Sequence, residues 1–235
     1  MVKRLVLIPV FNEESHIEGL LARLREVYSD DVLLIDDGST DRSMEILRRL
    51  EGPTTCAIVH GENKGYGATL LHGFHEASAR GYEYVITMDS DGQHRPDWIP
   101  HFFDLIPEWD IVSGSRYQRE IDGNGTAPGD RRRINAEVTA ILNSITGFGL
   151  TDSFCGFKAY RVSALARLSL TETGYGMPLQ VWLQARKNGL RVTESPVSRI
   201  YDDPNRRFGG DLDDPEVRAQ YYKAIIERER ERCNL

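Results

Sequence analysis

The sequence predicts an α/β protein with a mostly parallel central sheet and helices on both faces. Three observations predict it. Short apolar runs such as Leu5-Val6-Leu7-Ile8 and Val32-Leu33-Leu34-Ile35 read as buried strands. Between them apolar residues recur at helical spacing, as in Ile17, Leu20, Leu21, Leu24 and Val27. The two kinds of segment alternate through residue 115, which is the pattern of parallel strands joined by crossover helices.

Each element follows in order. Residues 5–8 form the first strand, and the helix of Ile17 to Val27 returns the chain for the next. The strand 32–35 ends in Asp36-Asp37-Gly38, and Ser39-Thr40-Asp41 offers helix-start chemistry to the segment carrying Met44, Leu47 and Leu50. Ala57-Ile58-Val59 is a third strand, and residues 68–79 a third helix. A strand at 84–88, a helix at 97–106 and a strand at 110–113 come next. After residue 115 the rhythm breaks. Residues 117–130 are polar, with Gly123, Gly125, Pro128 and Gly129, and read as a long loop. A helix over 131–145, a short segment at 153–157, two more helices and a strand over 190–194 follow. The chain closes with a loop at 202–214 and a helix from Pro215, whose ERERER end reads as solvated.

Composition limits the function. The chain has 235 residues, 40% hydrophobic and 28% charged, as in an ordinary soluble globular protein. A net charge of −7 argues against general nucleic-acid binding, which needs a basic footprint, and against strong attraction to anionic membranes. Cys56, Cys155 and Cys233 are far apart and odd in number, without the spacing of a zinc site or disulfide framework. The expected setting is a reducing cytoplasm, with at most peripheral contact at the inner membrane face. The N-terminal apolar run is a strand broken by Pro9, not a signal peptide, and no run approaches the roughly 20 residues of a membrane span.

Ligands of open parallel sheets bind at the carboxyl ends of the strands, and the unusual chemistry collects there. The first strand ends in Pro9-Val10-Phe11-Asn12-Glu13, the second in Asp36-Asp37, the fourth in Asp89-Ser90-Asp91. Side chains alternate along a strand, so Asp89 and Asp91 point the same way, and two carboxylates held together call for a cation. With the Gln93 carbonyl, and the His94 imidazole nearby, they make a hard donor set suited to Mg²⁺ or Mn²⁺. A solvated Asp-Gly turn would use the same residues. Asp36 and Asp37 can accept from a nucleobase or ribose, or simply end a strand. Asn63-Lys64-Gly65-Tyr66-Gly67-Ala68 has glycines where backbone can approach a ligand. Arg131-Arg132-Arg133, after Pro128-Gly129-Asp130, places guanidinium forks at a helix start and suits an anion, with Arg116 closing the preceding strand on the same cleft. Trp109, Trp182, Tyr221 and Tyr222 read as packing residues, and Cys155 as a small buried side chain.

Taken together and in order, P-V-F-N-E at 9–13, D-D-G-S-T-D at 36–41, N-K-G-Y-G-A at 63–68 and M-D-S-D-G-Q-H at 88–94 resemble the family 2 inverting glycosyltransferases. S-G-S-R-Y at 113–117, R-R-R-I-N at 131–135 and D-S-F-C-G-F-K-A-Y at 152–160 are similar to the dolichol- or polyprenyl-phosphate mannose and glucose synthase branch. The resemblance implies a GT-A fold over residues 1–200, with a donor half at 1–115 and an acceptor half at 116–200, then a lid loop and helical tail at 201–235. It implies a donor pocket from Pro9, Phe11, Glu13, Asp36, Asp37, Lys64 and Asp89. The implied metal ligands for Mg²⁺ or Mn²⁺ are Asp89, Asp91 and Gln93. Arg116, Arg131, Arg132 and Arg133 would hold phosphate. In the lid, acid stands where the branch has a lysine, with Arg206 or Arg207 to compensate, and Asn135 replaces a serine. The implied reaction moves mannose or glucose from GDP-mannose or UDP-glucose to a polyprenyl phosphate. An ionised phosphate needs no general base. A soluble hydroxyl acceptor would need one, and Asp152 is the candidate for it, which makes Asp89, Asp91 and Asp152 the expected catalytic residues. A catalytically silent nucleotide-sugar-binding module is the reading from another class.

Overall fold

Strand pairing organises the chain into a single sheet in the order β3-β2-β1-β4-β6-β5-β7. The structure is a computed structural model describing residues 2–121, 125–201 and 207–235, so Arg206 lies outside the described residues. Strands β1 (Arg4–Val10), β2 (Asp31–Asp36), β3 (Thr55–Val59) and β4 (Tyr84–Thr87) run parallel, as do β5 (Ile111–Ser115) and β7 (Val192–Pro196). Strand β6 (Lys158–Arg161) lies antiparallel between β4 and β5.

The period-two alternation of the strands divides the core in two. Leu5, Leu7, Leu33, Ile35 and Val85 face one side. There they pack against α3 (Tyr66–Ala79), α5 (Gly129–Thr146), α7 (Met177–Lys187) and α8 (Pro215–Cys233). Val6, Ile8, Val32, Leu34 and Ile86 face the other, against α1 (Ile17–Val27), α2 (Ser43–Leu50) and α4 (Ile99–Leu105). Helix α1 buries the stripe its spacing marks, Ile17, Leu20, Leu21 and Leu24. A short α6 (Val162–Leu165) follows β6. Among the described residues no helix is long and apolar enough to cross a membrane.

Four local expectations are corrected. Strand β6 follows the short segment expected at 153–157, where the sequence predicts no strand. The helix after β2 begins at Ser43, and Asp41 serves it from outside by accepting the Ser43 N–H at 2.8 Å. Helix α8 is not solvated throughout: Ala219, Tyr222, Ile225, Ile226 and Cys233 bury one face. The glycines before and within the start of α3 are required by chain packing, a need the sequence alone did not show. Gly65 has φ +99°, and a side chain at Gly65 or Gly67 would run into the carbonyls of Thr173 or Glu172.

Candidate active site

The carboxyl ends of β1, β2 and β4 open into a cavity of about 500 Å³. Its floor is tied together by side chains meeting backbone. Ser90 Oγ donates to the Pro9 carbonyl at 2.8 Å, joining the ends of β4 and β1. Asn12 adopts φ +56°, which asparagine tolerates, and its side-chain carbonyl accepts the Thr40 N–H at 2.8 Å. The P-V-F-N-E and D-D-G-S-T-D segments are therefore one structural unit.

Asp89 is held on several sides. The Tyr66 hydroxyl donates to its Oδ1 at 3.0 Å. Its backbone N–H donates to His94 Nδ1 at 3.0 Å, which makes His94 a brace for the backbone rather than a ligand pointing into the cavity. Behind it lies Gly156, where any Cβ would collide with the carboxylate. Asp91 Oδ1 accepts the Gln93 N–H at 3.0 Å, and Asp89, Asp91 and Gln93 all line the cavity. Among the described residues no three His, Cys, Asp or Glu side chains converge on a metal position.

On the donor side Pro9, Phe11, Glu13 and Asp37 line the wall. Asp37 also holds the turn beside it, accepting the Lys64 and Gly65 N–H groups at 3.0 and 2.9 Å, with His60 Nδ1 at 2.8 Å. Two expected donor residues lie elsewhere. Asp36 is fully buried, accepts the Ser39 N–H and is absent from the cavity wall, because the residue before Asp37 on the strand points to the opposite side. The Lys64 side chain is exposed, and Asn63 lines the cavity in its place.

The opposite wall carries Arg116, Arg131 and Arg207. Arg116 is clamped by Asp152, with Nε to Oδ2 at 2.6 Å and Nη2 to Oδ1 at 2.9 Å, and Asn135 Nδ2 donates to Oδ1 at 2.7 Å. Burial opposes a charge on Asp152, but the Arg116 guanidinium and these donors outweigh it and hold its carboxyl below the usual value. A fully buried, ion-paired and acidified carboxylate is poorly suited to take a proton, so the base role expected of Asp152 gives way to an anchoring one. The arginine run divides as well: Arg132 is exposed off the wall, and Arg133 bonds Glu216 at 2.7 Å, because successive helix residues point about 100° apart.

Sequence reasoning missed an aromatic line across the cavity. Tyr66 stacks on Tyr175 at 5.6 Å, and Tyr175 meets Phe208 edge-on at 5.3 Å. Phe208 in turn lies under Arg131 and Arg218, at 4.9 and 4.4 Å. Arg218 and Tyr222 reach the cavity from α8. Tyr66 stood inside a quoted motif, whereas the others carried no local signal.

Comparison with known proteins bears on this geometry. The model of the family described as Glycosyl transferase family 2 matches residues 5–169. The chain belongs to glycosyl transferase family 2. Relatives in the family include an undecaprenyl-phosphate mannosyltransferase of Micrococcus luteus, 30% identical over 83% of this chain and 83% of that protein. A polyprenol monophosphomannose synthase of Mycolicibacterium smegmatis is also 30% identical, over 83% of this chain and 77% of its own. Among solved structures, glucosyl-3-phosphoglycerate synthase of Mycobacterium tuberculosis with UDP superposes with a TM-score of 0.72 at 17% identity, covering 100% of this chain and 81% of that one. That likeness shows the GT-A glycosyltransferase fold.

Proposed function

We propose that the protein is a metal-dependent, inverting glycosyltransferase that moves mannose or glucose from GDP-mannose or UDP-glucose to a polyprenyl phosphate. The observation carrying this is the division of one cavity into two chemically opposite walls. One wall offers Glu13, Asp37, Asp89 and Asp91, acceptors for the hydroxyl and N–H groups of a nucleotide sugar. The other sets Arg116, Arg131 and Arg207 beside Ile134, Phe154 and Pro178. Cations next to a hydrocarbon surface suit an amphiphile with a phosphate head. Related proteins named for transfer to undecaprenyl phosphate and polyprenol phosphate support the same acceptor class.

The donor set fits a hard cation. Asp89, Asp91 and Gln93 offer oxygen alone and leave further positions to water and a diphosphate, which is how Mg²⁺ is commonly held. Structural neighbours with Mn²⁺ and UDP agree with that assignment. A cation held there would neutralise the charge that develops on the leaving diphosphate. Arg116 and Arg131 orient the acceptor phosphate, whose oxygen is already ionised. It attacks the anomeric carbon from the face opposite the leaving group, and the linkage inverts. No residue need remove a proton, which agrees with the engagement of Asp152 by Arg116.

Nucleoside diphosphate release from each donor with Mn²⁺, with and without a short-chain polyprenyl phosphate, tests the assignment. The expected result is release from one donor that depends on the lipid phosphate. Donor hydrolysis unaffected by the lipid phosphate would overturn the acceptor.

A further inference from the structure

Glu194 sits on β7, opposite Ser113 of β5 in the parallel ladder. Its side chain leaves the sheet for the Thr151-Asp152 turn. Oε2 accepts both the Thr151 N–H and the Thr151 hydroxyl at 2.7 Å, and Oε1 accepts the Asp152 N–H at 3.0 Å. Thr151 Oγ1 also meets Ser115 Oγ at 2.5 Å, one residue before Arg116. Burial raises the Glu194 carboxyl above its usual value, and the neighbouring Asp152 charge adds to that. A second carboxylate behind a buried Asp is costly unless its oxygens are needed as acceptors. Here they are: three donors converge on the two oxygens.

We infer that Glu194 is a positioning residue for the cationic wall, acting through Asp152 on Arg116. The turn that Glu194 grips carries Asp152, and Asp152 grips Arg116 through the two contacts of its guanidinium, so the cation that faces the cavity is placed by two carboxylates in series. Arg116 Nη1 reaches Tyr201 Oη at 3.3 Å, which fixes the remaining arm of the fork. Asparagine and arginine donors can compensate Asp152 but not Glu194, whose donors are all peptide or hydroxyl groups of the turn. Glutamine at 194 would keep the volume and lose one acceptor, setting an NH₂ group against either the Thr151 or the Asp152 N–H. The inference rests on the proposed function in one respect, the assignment of Arg116 to the acceptor phosphate.

The test compares Glu194→Gln and Thr151→Val with Arg116→Lys in the full chain, using the polyprenyl-phosphate-dependent assay. Loss of placement without loss of fold predicts a KM for the lipid phosphate raised about tenfold in Glu194→Gln and a smaller rise in Thr151→Val, with kcat and donor KM within about twofold. A purely structural role would instead lower kcat through a smaller folded fraction and leave KM unchanged, and that result overturns the inference. So does a wild-type KM in Glu194→Gln when Arg116→Lys raises it. If Arg116→Lys and Glu194→Gln both raise the donor KM and not the acceptor KM, the two-carboxylate placement stands and the acceptor assignment of Arg116 falls. Thr151→Val, which keeps both backbone donors, carries the test should Glu194→Gln fail to fold.

Discussion

Gly156 has no side chain, and the Asp89 carboxylate occupies the space where one would be. Gly156→Ala is therefore expected to turn Asp89 away from Asp91, lowering kcat/KM about 100-fold, which corresponds to roughly 2.7 kcal/mol of transition-state stabilisation. Steady-state kinetics with melting of the same sample checks it; unchanged kinetics would mean Asp89 has no fixed role. Asp152 makes a separate prediction about pH. Its folded-state carboxyl is held below the unfolded value, so its stabilisation is present above about pH 4 and is lost as pH falls further through the folded value. Removing one partner of a buried pair costs about 3–5 kcal/mol, so Asp152→Asn should destabilise by that order at pH 7. The gap between variant and wild type should narrow as the pH falls below 4, in denaturant melts across that range. A gap that stays constant would remove the ion pair as its source.

Helix α8 shows what an element can hide from sequence. Its last turns alternate Glu and Arg, and local composition reads as a solvated tail. Yet Tyr222, Ile225 and Ile226 are 3%, 1% and 2% exposed, against α7 and α5. Buried Glu229 takes the amides of Gln180 and Gln184, each at 2.7 Å. A narrow apolar stripe cannot announce which surface will receive it, because the partners lie far back in the chain: Ile225 Cδ1 fills the space at Gly176, and Tyr222 packs on Phe154 with ring centroids 4.6 Å apart. Ile225→Ala is accordingly expected to cost about 2–5 kcal/mol, the range for emptying a packed aliphatic site, and a urea melt measures it. A loss below 0.5 kcal/mol would return the helix to a solvated role. The same reasoning explains β6. Lys158-Ala159-Tyr160-Arg161 is four residues long with a cation at each end, and only pairing with β4 and β5 makes it a strand. The parallel strands β1, β2 and β4 were legible because each buries a continuous apolar run. The acidic segments were legible from their place just after apolar runs, although Asp89 and Asp91 lie past the end of β4 at Thr87, where strand alternation no longer sets their direction. Asp36 and Lys64 were misplaced because adjacency in sequence says nothing about which of two neighbours faces the cavity.

At the scale of the whole molecule, the cavity forms where the sheet order reverses, with β1 flanked by β2 on one side and β4 on the other. The floor is assembled by protein contacts alone: Ser90 to Pro9, Asn12 to Thr40, Tyr66 to Asp89. Both core layers are closed on either face of the sheet without any contribution from the site carboxylates. Fold and cation are therefore separable. Chelation with EDTA should abolish transfer while moving Tm by less than about 2 °C, since no cross-link of the core is lost. Adding a nucleoside diphosphate with Mn²⁺ should do the opposite. A ligand at 100 times its Kd adds about 2.7 kcal/mol, or roughly 5–10 °C for a chain of this length. Neither component alone should reach that shift, because the proposed carboxylate pair and diphosphate complete each other as ligands. Asp91→Ala should keep its Tm in EDTA and lose the Mn²⁺-dependent part of the increase. An increase of equal size in that variant would place the cation elsewhere and leave the two carboxylates to bind donor hydroxyls instead.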